Sequence, residues 1–286
     1  MKRKIIYKSK VQIFEKDNKK YVKKIKKSNK QDLFNYLDNK GFKNYLPIIE
    51  ETNEYEIYRY ILEKDFPSED KAIEIVKVLS LLHTLTTTYQ EINQNKVNDL
   101  YEKTLNTLSE LKNYYLELQD HIETKEFFSP AEHLLMNNIS NIYKAINYSN
   151  YKLEEWYQLI KTKKSQRYVQ LHNNVSLNHA LKDETLYFIN WDNSKKDFAI
   201  YDFINFYKNN FQDIEMTSLF KIYQSKFTYT DDELILFESL ISIPPKVIFS
   251  KNNYIDVINV RQLVNYVEKT NKFLLEDNKE NQEENK

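Results

Sequence analysis

The pattern of hydrophobic and polar positions changes its period close to residue 62 of the 286-residue chain. Before that point, short runs of alternating polarity predict β-strands. A helical stretch at residues 32–39 is followed by Gly41, which suits a helix C-cap. The sequence therefore predicts a small β-rich lobe over residues 1–62. Its strands are expected within residues 4–26, on both sides of a turn at 16–19, and at residues 47–49 and 55–61.

Beyond residue 62, apolar residues recur at spacings of three and four, which predicts amphipathic helices. Ser68 is a candidate N-cap for the first helix, and Ser129 and Thr230 each begin a capping-box pattern. We therefore predict a large, mostly helical lobe over residues 63–275 and a disordered polar tail at 276–286. One helix begins at Ser68, others cover 97–122, 130–146, 151–160, 231–241 and 254–275, and short strands are expected at 168–171 and 186–189.

Composition limits the partners and the compartment. Lys and Arg total 42 residues and Asp and Glu also total 42, so no net charge attracts nucleic acid or an anionic membrane. No apolar run approaches the length of a membrane span. The chain has no Cys, which excludes disulfides and thiolate chemistry and fits the cytoplasm. We expect a cytoplasmic protein without a nucleic-acid or membrane partner.

The single glycine of the chain, Gly41, also limits the chemistry. Loops that bind phosphate through backbone N–H groups need several glycines, because the backbone must approach the phosphate closely. The sequence therefore contains no P-loop, no dinucleotide-binding loop and no Gly-rich kinase loop.

Two stretches, LHNNVSLNH at residues 171–179 and FINWD at 188–192, have the spacing of linked motifs. They resemble the HGDxxxxN and hydrophobic-IDW-acidic motifs of aminoglycoside phosphotransferases, choline kinases and CotS-type spore-coat proteins. The stretches YVKK (21–24), LSLLHTLT (79–86) and YDF (201–203) resemble further segments of these families in the same order. The resemblance implies an α+β, two-lobed protein kinase-like fold, with ATP and Mg²⁺ as cofactors and an association with spores.

Several matching positions carry other side chains in this sequence. Asn174 stands at the family's catalytic aspartate, and an amide cannot accept the proton of a substrate hydroxyl as a carboxylate does. His179 stands at the loop asparagine, and imidazole is a poor ligand for Mg²⁺. Asn190 stands at the metal-strand aspartate and brings no negative charge. Lys24 matches the phosphate-contacting lysine of the third strand. Because the other three positions differ from the family, the resemblance implies a degenerate site.

Asp192 leaves an alternative open for the metal. It follows Asn190 by two residues, so on a strand both side chains would point to the same face. A shifted metal site of this kind would retain nucleotide binding. His172 and Asp202 are expected to be structural, because the histidine braces the loop backbone in the resembling families and a buried carboxylate is tolerated when it is hydrogen-bonded.

Other candidates have ordinary interpretations. Lys24 belongs to a lysine-rich run, most of which is expected to be solvated. Asp32 is a candidate acid partner for Lys24, and the basic cluster at 161–167 is expected to be a solvated loop. Core positions are expected for His83, Trp156 and Trp191.

Two functional hypotheses follow. In the first, the protein is a pseudokinase, a binding or scaffold protein for an unknown protein partner or small molecule, with ATP and Mg²⁺ bound weakly or not at all. In the second, it is an active or atypical ATP-dependent phosphotransferase that acts on a small-molecule hydroxyl. A third interpretation, a helical interaction protein unrelated to kinases, would lack a five-stranded small lobe.

Overall fold

The structure is a computed structural model that describes residues 6–8, 11–63, 66–250 and 252–284. The chain divides into two compact units. The first comprises residues 1–88, 168–210 and 219–228, and the second comprises residues 89–167, 211–218 and 229–286. The lobe boundary expected near residue 62 separates a β-rich part from a helical part, whereas the two units are defined by contacts between residues. The boundary therefore stays a prediction. No helix in the described residues is both long and apolar enough to cross a lipid bilayer.

The first unit contains a five-stranded sheet. Its strands are β1 (Ile6–Lys8), β2 (Val11–Lys16), β3 (Lys19–Ile25), β4 (Ile48–Glu51) and β5 (Tyr55–Arg59). The order is β1-β2-β3-β5-β4, and every neighbouring pair is antiparallel. This sheet confirms the β-rich character predicted for the start of the chain. It contradicts the interpretation of the protein as a helical interaction protein without such a sheet.

A two-residue turn joins β2 to β3. Asp17 and Asn18 have positive φ angles of 52° and 57°, and both residue types tolerate this left-handed region. The register pairs Lys16 with Lys19, which confirms the predicted turn. Because this turn fixes the register of β3, it also fixes the face of the sheet on which Lys24 lies.

The helix α1 (Gln31–Asn39) is followed by the C-cap residue Lys40 and then by Gly41. The φ angle of Gly41 is 80°, which a residue without Cβ adopts at little cost. Its N–H donates to Asp38 O at 2.9 Å, and the Phe42 N–H donates to Leu37 O at 2.9 Å. These two bonds form a Schellman motif, so the prediction of a helix-ending glycine is confirmed.

The other helices are α2 (Ser68–Thr86), α3 (Gln94–Glu123), α4 (Pro130–Ile160), α5 (Ile200–Asn210), α6 (Met216–Gln224), α7 (Asp231–Ser242) and α8 (Asn253–Glu284). The capping boxes predicted at Ser129 and Thr230 precede α4 and α7. The cap predicted at Ser68 is wrong by one residue. Pro67 O accepts the first helical bond, from Lys71 N at 3.1 Å, so Pro67 is the N-cap residue of α2.

Two helices are longer than the sequence predicted. The helices expected at 130–146 and 151–160 form one continuous α4. The polar Ser149 at their junction is satisfied within the second unit, since its Oγ donates to Ser239 O at 2.8 Å. The backbone of α8 continues as helix to Glu284, whereas a disordered tail was expected from residue 276. The tail is rich in Glu and Lys, which favour helix.

Short strands surround the motif region: β6 (Thr88–Glu91), β7 (Ser165–Leu171), β8 (Ala180–Lys182), β9 (Leu186–Phe188) and β10 (Lys195–Asp197). The strands predicted near residues 168 and 186 correspond to β7 and β9. β8 pairs with β9, and β10 pairs with the end of β7, both antiparallel. β8 and β10, which the sequence did not predict, have three residues each.

In the second unit, α4 packs against α3, α7 and α8, and Trp156 is fully buried. The basic cluster at 161–167 is not simply solvated. Lys163 forms an ion pair with Asp232, and Arg167 Nε donates to Glu233 Oε1 at 2.9 Å. Both acids lie in the first turn of α7, where negative charge is favourable. The cluster therefore stabilises the start of this helix.

Candidate functional site

A cavity of about 500 Å³ lies in the first unit, beside one face of the five-stranded sheet. This volume is in the range of small-molecule sites. Lys24 on β3 and Tyr58 on β5 reach the cavity from adjacent strands, because alternate residues of a strand face the same side. Its walls are largely apolar and include Val11, Ile13, Val22, Phe34, Leu46 and Phe188.

Lys24 is held by two residues of the FINWD stretch. Its Nζ donates to Asn190 Oδ1 at 2.7 Å and to Asp192 Oδ2 at 3.0 Å. The side chain of Lys24 is 19% exposed and that of Asp192 is 11% exposed. Lys24 is therefore a partly buried member of a polar cluster that borders the cavity.

A second lysine completes this cluster. Lys30 is 3% exposed and lies at the N-cap position of α1. Its Nζ lies 2.8 Å from Asp192 Oδ1, and it also lies 2.8 Å and 3.1 Å from the two carboxylate oxygens of Glu56. Glu56 is fully buried on β5 and accepts a further bond from Tyr58 OH at 2.6 Å. One ammonium thus bridges two carboxylates.

The electrostatics favour the ionised forms of Lys30 and Asp192. Burial alone would lower the pKa of Lys30, but hydrogen bonds to Asp192 and Glu56 raise it above its usual value. Burial alone would raise the pKa of Asp192, but hydrogen bonds from Lys30 and Lys24 lower it. Burial and the neighbouring Glu56 carboxylate raise the pKa of Tyr58. At neutral pH Lys30 is therefore an ammonium and Asp192 a carboxylate.

The backbone at Asn190 differs from the strand that we predicted. β9 ends at Phe188, Asn190 is left-handed with φ 65° and ψ 51°, and residues 191–193 form a 3₁₀ turn. The argument that Asn190 and Asp192 share the face of a strand is therefore wrong. Both side chains still reach Lys24, through the hydrogen bonds described above.

Asp202 braces the loop that carries the first motif. Its Oδ2 accepts the His172 N–H at 2.8 Å, and its Oδ1 accepts the Asn173 N–H at 2.6 Å. His83 Nε2 also donates to Asp202, at 3.2 Å, while its Nδ1 accepts from Tyr223 OH at 2.6 Å. His83 is fully buried, so this core histidine belongs to a polar network.

The loop has a left-handed residue at Asn173, with φ 56°. The resembling motif has glycine at this position, and asparagine is among the residues that best tolerate this region. Asn173 Nδ2 also donates to Asn193 O at 3.0 Å, which ties the loop to the FINWD segment. The loop thus adopts a left-handed conformation at this position without glycine.

His172 is a neutral structural residue. It is fully buried, and its Nε2 donates to Ile189 O at 2.9 Å. Burial lowers the pKa of His172 to about 4, although the nearby Asp202 opposes this change. Its ring lies edge-on to Trp191, which is itself 3% exposed and packs in the core. His172 therefore orients the backbone next to Asn190.

The side chain of His179 contacts the backbone of Asn174. His179 Nδ1 donates to Asn174 O at 2.9 Å, and His179 O accepts the Ile189 N–H at 2.9 Å. Among the described residues, the side chain of Asn174 makes no hydrogen bond within the protein. The structure therefore links His179 to the segment next to Asn190, and it does not join the Asn174 side chain to the lysine–carboxylate cluster.

The oxygens expected to bind Mg²⁺ already have cationic partners. Asn190 Oδ1 and Asp192 Oδ2 accept from Lys24, and Asp192 Oδ1 pairs with Lys30. His179 offers only an imidazole, whereas Mg²⁺ needs oxygen ligands in near-octahedral geometry. In the described ranges no three or more His, Cys, Asp or Glu side chains are grouped to hold a metal. The residues of this site, as arranged, do not fit a divalent cation.

Sequence reasoning missed Lys30 and Glu56. Asp32, suggested as the acid partner of Lys24, is exposed on α1, and Asp192 takes that role. Lys30 follows a lysine-rich run that looks solvated, and Glu56 lies in an alternating strand without any motif. The available signal was the alternation of this strand, which places Glu56 on the same face as Tyr58. In the structure Glu56 lies directly opposite Lys24 on β3.

Comparison with solved structures identifies the fold. An aminoglycoside phosphotransferase from Alicyclobacillus acidocaldarius superposes with a TM-score of 0.68 at 10% identity, over 97% of this chain and 92% of that chain. Spectinomycin phosphotransferase bound to AMP superposes with a TM-score of 0.55 at 13% identity, over 91% and 90% of the two chains. Its complex with ADP and spectinomycin gives a TM-score of 0.52 at 13% identity, over 95% and 92%.

Sequence comparison adds no closer relative. No family model matches the chain. No curated protein sequence matches it significantly. At these identities the superpositions establish the fold alone, and they confirm the predicted fold class. The chain has the α+β protein kinase-like fold of the aminoglycoside phosphotransferases, with a small β-strand region at its start and a larger helical part after it.

Proposed function

We propose that this protein is a pseudokinase: it binds a nucleotide in the cavity of its first unit and transfers no phosphate. It acts as a binding or scaffold protein. The observation that carries the proposal is the pairing of both Asp192 carboxylate oxygens with Lys24 and Lys30. In kinases, metal ions bridge the phosphates and neutralise the charge that develops during transfer. Here the only carboxylate of the FINWD stretch is already neutralised by lysines.

The loop supports the same conclusion. A carboxylate at the position of Asn174 would accept the proton of an acceptor hydroxyl, and an amide lacks that basicity. His179 Nδ1 is engaged with Asn174 O, which orients the ring and leaves it no carboxylate partner among the described contacts. The site therefore lacks both the base and the metal ligands on which phosphotransfer depends.

The cavity supports nucleotide binding. Its apolar walls suit a planar base, and Lys24 borders it as a candidate phosphate contact. The structurally similar spectinomycin phosphotransferase was solved with AMP and with ADP. The paired lysines make a tight, metal-dependent ATP complex unfavourable, so we propose weak nucleotide binding that does not need Mg²⁺.

The partner and location are also proposals. A kinase fold without catalytic activity acts by binding other molecules, so we propose a protein partner. We also propose that the protein is located in the cytoplasm. The resemblance of the 171–179 and 188–192 stretches to CotS-type proteins supports an association with the spore. The active alternative, an ATP-dependent phosphotransferase for a small-molecule hydroxyl, remains the competing outcome of the experiment below.

Thermal unfolding with millimolar ADP or ATP, in EDTA and in Mg²⁺, tests the proposal. Ligand at a hundred times its dissociation constant stabilises a protein by about 2.7 kcal/mol. We expect equal stabilisation in EDTA and in Mg²⁺, and its loss in Lys24→Ala. The control is Lys43→Ala, since Lys43 is 68% exposed and pairs with Asp38 on the surface. Stabilisation that requires Mg²⁺, or phosphate transfer to an added alcohol, would overturn the proposal in favour of the active enzyme.

A further inference from the structure

The position of Lys30 is unusual for a lysine. Lysines are almost never fully buried unless they are paired. Lys30 is 3% exposed although it stands at the start of α1, where its side chain makes no capping bond. Its stem instead places the ammonium between β5 and the segment after β9, in contact with Glu56 and Asp192.

The partners of Lys30 are the kind that a hard cation selects. Glu56 presents two oxygens to the ammonium and Asp192 presents one, at 2.8–3.1 Å. Carboxylate and amide oxygens are the preferred ligands of Mg²⁺ and Ca²⁺. Asn190 Oδ1 lies beside this group, since it shares Lys24 with Asp192.

The charges of the cluster balance only when Lys30 is present. Lys24 and Lys30 supply two positive charges, and Glu56 and Asp192 supply two negative charges. Without Lys30, a fully buried Glu56 and a largely buried Asp192 would carry an uncompensated negative charge, which is costly in a low dielectric. A divalent cation would offset that negative charge and leave the cluster with one net positive charge.

We propose that Lys30 is a built-in counter-ion that occupies the place of a divalent cation between Glu56 and Asp192. It is covalently tethered, so it cannot be removed by chelation or by competition. It masks a latent metal site and makes ligand binding in the adjacent cavity independent of metal. The masking of the metal site stands alone, and the independence of ligand binding rests on the proposed function.

The test removes the ammonium in the full chain. Lys30→Gln keeps much of the length and the polarity of the side chain but lacks its charge. Tb³⁺ is added to wild type and variant, and its luminescence is excited through tryptophan, because Trp191 is the neighbour of Asp192 in the chain. We expect Lys30→Gln to bind Tb³⁺ at least about tenfold more tightly than wild type, which corresponds to about 1.4 kcal/mol. Mn²⁺ alone should raise the Tm of the variant and not that of wild type.

Three matched variants separate the counter-ion role from general effects. Lys30→Arg retains the positive charge and should behave as wild type. Lys43→Gln removes an exposed lysine near the same helix and should also behave as wild type. Lys30→Gln combined with Asp192→Asn removes a predicted ligand and should lose the gained Tb³⁺ affinity.

Two results would overturn the inference. One is a Lys30→Gln variant that binds Tb³⁺ no better than wild type, or whose gain survives Asp192→Asn. The other is a Lys30→Gln variant that is unfolded by circular dichroism at every Mn²⁺ concentration, because the metal should replace the missing charge. Neither assay contains nucleotide. Failure of the proposed nucleotide binding is detected separately, as absent stabilisation of wild type by ADP.

Discussion

Lys24 Nζ lies 3.0 Å from Asp192 Oδ2, although the two residues are 168 positions apart in the chain. The contact joins the third strand of the sheet to the segment after β9 within the first unit. It places a lysine where a metal would be expected to meet the same carboxylate. Lys30 pairs with the other carboxylate oxygen, so both oxygens of Asp192 have lysine partners.

A double-mutant cycle on Lys24 and Asp192 tests whether their contact contributes to the free energy of unfolding. We expect Lys24→Met and Asp192→Asn to be coupled by about 1–2 kcal/mol in urea unfolding, because the pair is largely buried. The surface pair Lys43 and Asp38 is the control, with an expected coupling below about 0.5 kcal/mol. Coupling near zero for Lys24 and Asp192 would mean that Lys24 is a solvated lysine of its run.

Asp202→Asn should destabilise the protein strongly. The carboxylate accepts two backbone N–H groups and the His83 ring, and an amide cannot accept all three with its single oxygen. We expect the free energy of unfolding to fall by about 3 kcal/mol. Asp38→Asn on the surface should cost far less. Similar losses for the two variants would show that Asp202 does not fix the loop.

Stability should fall as the pH is lowered through the range of His172. Burial lowers its pKa to about 4 in the folded protein, while an unfolded histidine titrates near about 6.5. Between these values the unfolded chain binds more protons, so stability rises with pH in this window. We expect a loss of about 2 kcal/mol from about pH 7 to about pH 5.

Urea unfolding of His172→Gln isolates that contribution. Glutamine can still donate to Ile189 O but does not titrate, so the variant should lose less stability than wild type over the same range. The depressed pKa of Asp192 acts in a lower window, below about pH 4, and does not interfere. His121→Gln, at an exposed position of α3, should keep the wild-type pH dependence. Identical profiles for all three proteins would contradict the burial of a neutral His172.

Placing carboxylates at positions 174 and 190 should not by itself give phosphotransferase activity. In Asn174→Asp/Asn190→Asp, Lys30 still holds Asp192, and the carboxylate introduced at position 190 would pair with Lys24. We therefore expect no measurable ATP turnover from this double variant. Adding Lys30→Gln to the pair should give Mg²⁺-dependent turnover. Turnover by the double variant alone would show that the pairing of Lys24 and Lys30 does not prevent phosphate transfer.

The sequence predicted elements whose signals are local. The turn at Asp17 and Asn18, the helix end at Gly41 and the capping box at Ser129 each depend on residues within a few positions of one another. The kinase-like fold followed from the order of short motifs. The fold class could therefore be predicted from the sequence alone.

The site needed contacts that no local pattern encodes. Lys30 contacts Glu56, which is 26 positions away in the chain. It also contacts Asp192, which is much further away, in the segment after β9. Neither Lys30 nor Glu56 belongs to a motif, and a lysine in a basic run gives no sign that it is buried. The left-handed Asn190 was also hidden, because the apolar residues before it suggested that the strand continued.

A crystal structure of the wild-type protein with a non-hydrolysable ATP analogue and Mn²⁺ would test the central claim most directly. Anomalous scattering locates manganese directly, by its element. We expect nucleotide in the cavity, Lys24 and Lys30 still paired with Asp192, and no manganese bonded to that carboxylate. Manganese bound to Asp192 and to the phosphates, with the lysines displaced, would contradict it.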